Sequence, residues 1–475
     1  MKPLAAVILA AGKGTRMRCK TPKVLQSVAG RPMIFYALEL ATALQASPLV
    51  VVVGQQGEQI QKQLPAGGWQ AVKQIEPLGT GHALRQTEAM LKDFPGDVLV
   101  LHADVPLLRA ETLRQLLETH QHSGAVATLL TAVMEQPGRL GRVIRERGGN
   151  VARIVEALDA TEEERAIHEI NTGTYCFRAG FVYQALQTLT SDNVKGEYYL
   201  TDVIGAACRA GLPVHAVQTD DWREAIGVDS KADLASAEAI IRRQVLERLM
   251  ANGVTIIDPQ STYVHREVEV GCDTVLHPNT HLLGKTVVGE DCEIWPNTVI
   301  RDSTLEDGVI IFPSCVITGS VIATGAHVGP FAHLRPEVAL GKRVRIGNFV
   351  ELKKSTIGDG SKASHLSYIG DVVMGKAVNV GAGFIACNYD GDQKHETIIE
   401  DGVFIGSDSQ IIAPLRIGQG AYIATGTTVR KEVPPQALVY NTKDQVHREN
   451  WASQRKPKAH TAQGHGTHET PTDQQ

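Results

Sequence analysis

The sequence predicts a mixed α/β chain made of two unlike halves, and three observations carry that expectation. Short apolar runs alternate with helical patterns through residues 1–230. A glycine-bearing segment, ILAAGKGTRM at 8–17, directly follows the first of those runs. Beyond residue 252, aliphatic side chains return every six positions. The expected layout is an α/β domain over 1–230, a helix over 231–251, a parallel β-helix over 252–454 and a disordered tail over 455–475.

Each element has its own reason. Ala6–Leu9, Leu49–Val53 and Val98–Leu101 are continuous apolar runs, and 32–44 and 80–91 carry helical patterns. Such strands separated by helices read as a parallel sheet covered on both faces, with ligands collecting at the strand ends. The glycine loop and HADVP (102–106) both stand at strand ends and are expected to be neighbours. In the segment 231–250, Leu234, Ala237, Ile241, Val245 and Leu249 share one face, and Asn252-Gly253 supplies a stop. Much charge surrounds that single stripe, so the helix reads as a connecting rod rather than a core element.

Two series then repeat with period six: Val270, Leu276, Leu282, Val288, Ile294, Ile300, and Ile399, Ile405, Ile411, Ile417, Ile423, Val429. Neither a helix nor an amphipathic strand has that spacing, whereas a hexapeptide solenoid does. Gly271, Gly289, Gly406 and Gly418 are expected at its corners. Residues 335–356 and 387–396 lose the period, carry polar and charged side chains, and are expected to project from the rod with binding groups. The tail after Arg455 is poor in apolar residues, and its histidines read as solvated.

A net charge of −5 with 21% charged residues suits an ordinary soluble protein whose main partner is neither nucleic acid nor a membrane. Seven cysteines with no C-x-x-C pair argue against a disulfide framework and a thiolate zinc site, and fit a reducing cytoplasm. The opening MKPLAAVILAAG imitates a signal peptide. Lys13, Arg16, Arg18, Lys20 and Lys23 follow at once and oppose translocation, so the run reads as a buried strand.

The glycine loop fits neither common phosphate motif. Met17 stands where the dinucleotide fingerprint needs glycine, and Lys13 lies between the glycines rather than at the end of a longer loop. LAAGKGTRM followed by PKVL instead resembles the signature of sugar-nucleotide pyrophosphorylases, which implies a Rossmann-like nucleotidyltransferase domain. The resemblance implies that Leu9, Ala10, Ala11 and Gly12, leading into a helix, hold the nucleotide through backbone N–H groups. Lys13 and Arg16 would neutralise the leaving pyrophosphate, and Lys23 would hold the attacking sugar phosphate. Asp104, beside Ala103 in HADVP, matches a Mg²⁺ ligand whose usual companion is the Asn of a GVN segment. Asp229 replaces that Asn here, so activity is expected with altered metal affinity. EPLGTGHA (76–83) resembles the uridylyltransferase loop, with Gln74, Gly79 and Thr80 at binding positions. Gly141, Glu156 and Asn171 match sugar contacts, while Leu158 stands where relatives often carry Lys.

The solenoid strings LRPEVALGKRVRIGNFVELKKSTIGDGSKASHLSYIGD and NVGAGFIACNYDGDQKHET resemble the family that joins a glucosamine-1-phosphate acetyltransferase to an N-acetylglucosamine-1-phosphate uridylyltransferase. The resemblance spans about Ala6 to Val439 and implies a left-handed β-helix. His365 matches the general base, an imidazole suited to taking a proton from an attacking amine near neutrality. Glu351 is expected to hold its tautomer, and these two stand with Asn388 and Lys23 as the candidate catalytic residues. Arg335, Lys353, Tyr368 and Lys394 match the sugar-phosphate groups, and Asn379 a sugar contact. Ala382, Asn388, Tyr389 and Ser407 match the acetyl-CoA site. Thr425 stands where many relatives have Ala, and Thr442 where an Arg holds the CoA phosphates; Lys443 is the neighbouring substitute.

The resemblance therefore implies Mg²⁺ as cofactor, acetyl-CoA and UTP as co-substrates, the two sugar phosphates as further substrates, and a homotrimer. The competing readings are a single-activity pyrophosphorylase whose solenoid only oligomerises, and a non-catalytic scaffold.

Overall fold

The computed structural model describes residues 2–12, 14–442 and 444–454. Lys13, Lys443 and the expected tail over 455–475 lie outside the described residues. The N-terminal sheet runs in the order Val214–Gln218, Ala127–Val133, Glu169–Arg178, Asp97–His102, Leu4–Ala10, Leu49–Val53, Gln70–Lys73. Along that path only Glu169–Arg178 runs antiparallel to its neighbours. Residues 5–10 of the first strand are buried on both faces, which is why that run is continuously apolar. Alternate side chains feed two cores, Val7, Val50 and Val98 on one face and Ile8, Val51 and Leu99 on the other. Leu9 pairs with His102, so the glycine loop and HADVP do leave the sheet side by side.

Two local expectations need correction. The helical pattern at 80–91 divides into Thr80–Arg85 and Glu88–Leu91, because the Thr87 hydroxyl bonds back to the Leu84 carbonyl at 2.7 Å. The glycine loop leads into a three-residue 3₁₀ turn, Thr15–Met17, and not into a long helix. Left-handed backbone at Gly14 and Arg18 brackets that turn, and the next α-helix begins only at Met33. Anion binding at this loop must come from its own N–H groups and cations rather than from a long helix dipole.

The helix Lys231–Ala251 opens on a capping box in which Ser230 and Asp233 satisfy each other's backbone N–H groups. Its Ala237, Ile241, Val245, Leu246 and Leu249 pack with Val28, Tyr36 and Leu107 on one side and Val254, Ile256 and Val264 on the other. This corrects the connecting-rod expectation. The stripe is narrow, but both halves of the molecule cover it, and it lies within one continuous core.

The solenoid that follows has three faces, two woven into a nineteen-strand sheet and one formed by a nine-strand sheet. All named positions of the two period-six series are buried except Val270, which is half-buried. Truncating one of these aliphatics to Ala would cost roughly 2–5 kcal/mol. Left-handed corners are taken by residues such as Asp273, Asn279, Asp291 and Asn297, while Gly271, Gly289, Gly406 and Gly418 have no positive φ. Those glycines answer close approach between coils: a Cβ on Gly271 would lie 2.6 Å from the Gly289 carbonyl carbon.

Residues 335–356 do not project. Val338, Leu340, Val344, Ile346, Val350 and Leu352 are buried inside the coil, and the charged residues simply occupy outward positions. The segment 387–396 does project: Val372 pairs with Thr397, 25 positions on, where Thr356 pairs with Val373, 17 on. Among the described residues no helix is long and apolar enough to cross a membrane.

Candidate active sites

At the head of the sheet, a cleft of about 490 Å³ is lined by Leu9, Ala10, Ala11, Gly12, Arg16, Lys23, Gln74, Gly79, Thr80, Asp104 and Asp229. Gly14 lets the loop close on the lysine, because a Cβ there would lie 2.7 Å from Lys23 Cβ. Lys23 Nζ donates to Asp104 Oδ2 and, at 2.8 Å, to Asp229 Oδ1; Arg16 Nη2 meets Asp229 Oδ2 at 2.7 Å. Burial alone would lower the Lys23 pKa, but Asp104 and Asp229 outweigh it and raise it. Burial alone would raise Asp104, and Lys23 outweighs it to hold the carboxyl below its ordinary value.

Asp229 is placed by the helix cap: its N–H donates to Asp233 at 3.1 Å, beside the Ser230 bonds that start the linker helix. Two carboxylates converging on one ammonium form a hard oxygen donor set. Among the described residues no group of three or more His, Cys, Asp or Glu side chains could hold a metal. As two carboxylates rather than a full protein cage, Asp104 and Asp229 suit a cation such as Mg²⁺, which commonly takes one or two carboxylates and completes its shell with water and phosphate oxygens.

Ala103 is buried below the cleft, its N–H on the Leu9 carbonyl. Gly141, Glu156 and Asn171 form a second group outside the cleft lining. Asn171 N–H donates to Gly141 O at 2.9 Å, and Glu156 Oε1 accepts from Thr201 Oγ1 at 3.1 Å. Burial pushes the Glu156 pKa up, partly offset by the Thr201 bond. Leu158 is exposed. His102 and Glu197 also line the cleft and were missed from sequence. Burial lowers the His102 pKa; its place inside HADVP was the available signal.

The solenoid residues gather along one corner. Lys362 pairs with Asn379, Asn379 with Phe404 and Phe404 with Tyr422; three positions on in each coil stand His365, Ala382, Ser407 and Thr425. Backbone bonds from Gly383 to Leu366, Asp408 to Ala382 and Gly426 to Ser407 hold this row together. On the adjoining face Glu351 pairs with Tyr368, and Arg335 N–H meets Leu352 O. The projecting loop returns Tyr389 and Lys394 to each other through a β-bridge. Lys394, hydrogen-bonded to Lys353, holds the latter below the ordinary lysine range.

The expected Glu351–His365 pairing is not formed. Glu351 accepts from Arg335 Nη1 at 3.0 Å, two positions along the face, while His365 Nδ1 faces Asn348 Oδ1 at 2.8 Å. The register explains this, since Asn348 is the direct strand partner of His365. Asn348 and Asp371, whose carboxylate meets Asn388, were both missed; they lie inside the strings quoted above with no motif of their own. Thr442 is exposed beyond the last strand, and Lys443 lies outside the described residues.

Comparison with known proteins bears on both halves. The family described as "MobA-like NTP transferase domain" matches residues 6–192, and "Bacterial transferase hexapeptide (six repeats)" matches 267–302 and 396–431. The chain is 50% identical over 455 residues to the Bifunctional protein GlmU of Syntrophotalea carbinolica, covering 96% of this chain and 98% of that one. It is 45% identical over 459 residues to the same-named protein of Pelobacter propionicus, covering 96% and 100%. It is 47% identical over 446 residues to that of a Geobacillus species, covering 94% and 97%.

Proposed function

Because the chain belongs to the bifunctional GlmU family, we propose that each of its two sites transfers a group to a sugar 1-phosphate, one acetyl and the other uridylyl. The solenoid acetylates glucosamine 1-phosphate with acetyl-CoA. The N-terminal domain then joins UMP from UTP to N-acetylglucosamine 1-phosphate and releases pyrophosphate. The juxtaposition that carries the reading is a histidine base at a solenoid corner beside the face that bears the cationic residues Arg335, Lys353 and Lys394. A rod that only oligomerises has no use for that pairing.

In acetyl transfer, the cations and Tyr368 hold the phosphate dianion, with Arg335 able to give paired hydrogen bonds. The 2-amine nitrogen bonds to the acyl carbon, the C–S bond breaks, and CoA leaves as the thiolate, which becomes the thiol with the proton that His365 has removed from the amine. His365 takes the amine proton. With Nδ1–H on Asn348 Oδ1, the lone pair sits on Nε2 and makes that nitrogen the base. The row Ala382, Ser407, Thr425 runs away from His365 and suits an extended acetyl-CoA arm.

In uridylyl transfer, a phosphate oxygen of the sugar attacks the α-phosphorus in line, and the bond to the bridging oxygen of pyrophosphate breaks. Arg16 and the loop N–H groups stabilise that departing charge, and the cleft fixes alignment. Mg²⁺ on Asp104 and Asp229 would neutralise phosphate charge and leave Lys23 to the sugar phosphate. The solenoid site lies open on one chain, and its corner exposes stacked Phe331 and Phe349 and neighbouring Leu366. Assembly as a homotrimer would cover that row and complete the site.

The test supplies glucosamine 1-phosphate, acetyl-CoA, UTP and Mg²⁺ to wild type and to His365→Ala. Wild type should release CoA thiol and pyrophosphate. The variant should release no thiol yet still form pyrophosphate from N-acetylglucosamine 1-phosphate. A wild type that releases no thiol would leave only the single-activity reading.

A further inference from the structure

Asn388 is 6% exposed and belongs to the projecting loop, where His395 N–H donates to its carbonyl at 2.8 Å. Its amide meets two oxygens: Asp371 Oδ2 at 2.5 Å and Tyr368 Oη at 3.4 Å. A carboxylate only accepts hydrogen bonds, so the amide atom facing Asp371 has to be Nδ2. With one N–H on Asp371 and the other toward Tyr368, both amide hydrogens are committed. The side of Asn388 left for a ligand is its oxygen.

The surroundings are built for this contact. A Cβ on Gly370 would collide with Tyr368 Oη and lie 2.8 Å from Asn388 Nδ2, so a hydrogen there is what lets the two groups meet. Asp371 itself stands at a corner with φ of 54°, its N–H on Lys353 O at 3.0 Å. Its carboxylate meets the buried Asn388 amide, and its charge is also felt by Lys353.

Resting on the acetyl-transfer reading above, we infer that Asp371 is a positioning residue: it fixes Asn388 so that the amide oxygen accepts an N–H from the sugar's 2-amine. An amine held by one of its hydrogens keeps its lone pair turned toward the thioester while the other hydrogen is available to His365. Without Asp371 the amide can turn over and present an NH₂ group, which repels the amine hydrogens.

A counter-charge role for Asp371 beside Lys353 would give the opposite kinetic signature, and this separates the two. Asp371→Asn keeps the shape and removes the charge. Positioning predicts that kcat for thiol release from glucosamine 1-phosphate and acetyl-CoA falls by roughly 10–100-fold, with the KM for the sugar phosphate little changed. A counter-charge role predicts a lower KM, because a negative group near the phosphate is gone, with kcat kept. The double variant Asp371→Asn, Asn388→Asp restores the geometry with donor and acceptor exchanged, and should recover part of the lost kcat. Thermal midpoint reports folding of each variant. An unchanged kcat in the folded single variant overturns the proposal, and so does a double variant no better than the single one. Failure of the acetyl-transfer reading is distinct, because wild type would then release no thiol.

Discussion

Lys23 is enclosed and Lys353 is half-buried, and their neighbours push them in opposite directions. Lys23 is raised by two carboxylates despite burial, which keeps it a cation throughout the working range. Lys353 is lowered, chiefly by its contact with Lys394, and so loses its proton earlier on alkalinisation than an ordinary lysine. Two cations facing each other, only partly offset by Asp371, are a poor arrangement for an empty surface and a good one for a phosphate dianion, which relieves both. The sign of the pH effect follows. Apparent KM for glucosamine 1-phosphate should rise on the alkaline side, beginning below the ordinary lysine value of about 10.4. Lys394→Met should raise KM at every pH, yet move that rise to higher pH, because the like charge is gone. KM profiles between about pH 7 and 10 would show it, and a rise that moves to lower pH in the variant would count against the pair.

Besides the linker helix, the hairpin Ser27–Val28 with Arg31–Pro32 joins the halves. Its turn residues Ala29 and Gly30 both have positive φ, as a tight two-residue hairpin requires. Ala29 N–H donates to Glu238 of the linker helix, Ala29 O accepts from Arg266 of the first coil, and Gly30 lies flat against the His265 imidazole. His265 Nδ1 accepts the Gly284 N–H at 2.9 Å, so the ring is needed neutral at that nitrogen. Burial lowers its pKa. A depressed folded value means the contribution is complete above the ordinary histidine value of about 6.5 and is lost as pH falls through the folded value. Calorimetry should therefore find the thermal midpoint declining on acidification below about pH 6.5, and declining less in His265→Gln. Gly30→Ala, which adds a methyl at positive φ into the ring, should destabilise by about 1–3 kcal/mol at neutral pH. A Gly30→Ala protein as stable as wild type would show that this seam contributes little.

At the scale of the whole molecule, the solenoid was legible because every coil repeats the same inward demand, so period six reaches the surface of the sequence. The strands at 49–53 and 98–101 were legible for a similar reason, being apolar on both faces. The hairpin was not, since SVAGRP reads as any loop until His265 is placed against it. Asp371 and Asn348 were hidden likewise: their partners stand one coil away, fixed by register rather than by spacing along the chain. The same corner raises the question of assembly. Phe331 and Phe349 stack at 5.4 Å while more than half exposed, and Leu366 beside them is 62% exposed. Leaving such side chains in water forgoes about 1.5–3 kcal/mol apiece. They flank His365, so a neighbouring copy that covers them also walls the acetyl site. If the chain assembles as the proposed trimer, Phe349→Glu should lower the mass in solution from three chains to one and abolish thiol release. Pyrophosphate formation should persist, because the nucleotide cleft is built at the head of the N-terminal sheet and contains none of these solenoid residues. Light scattering with both assays decides it: a single-chain species that still acetylates at the wild-type rate would mean that each solenoid works alone.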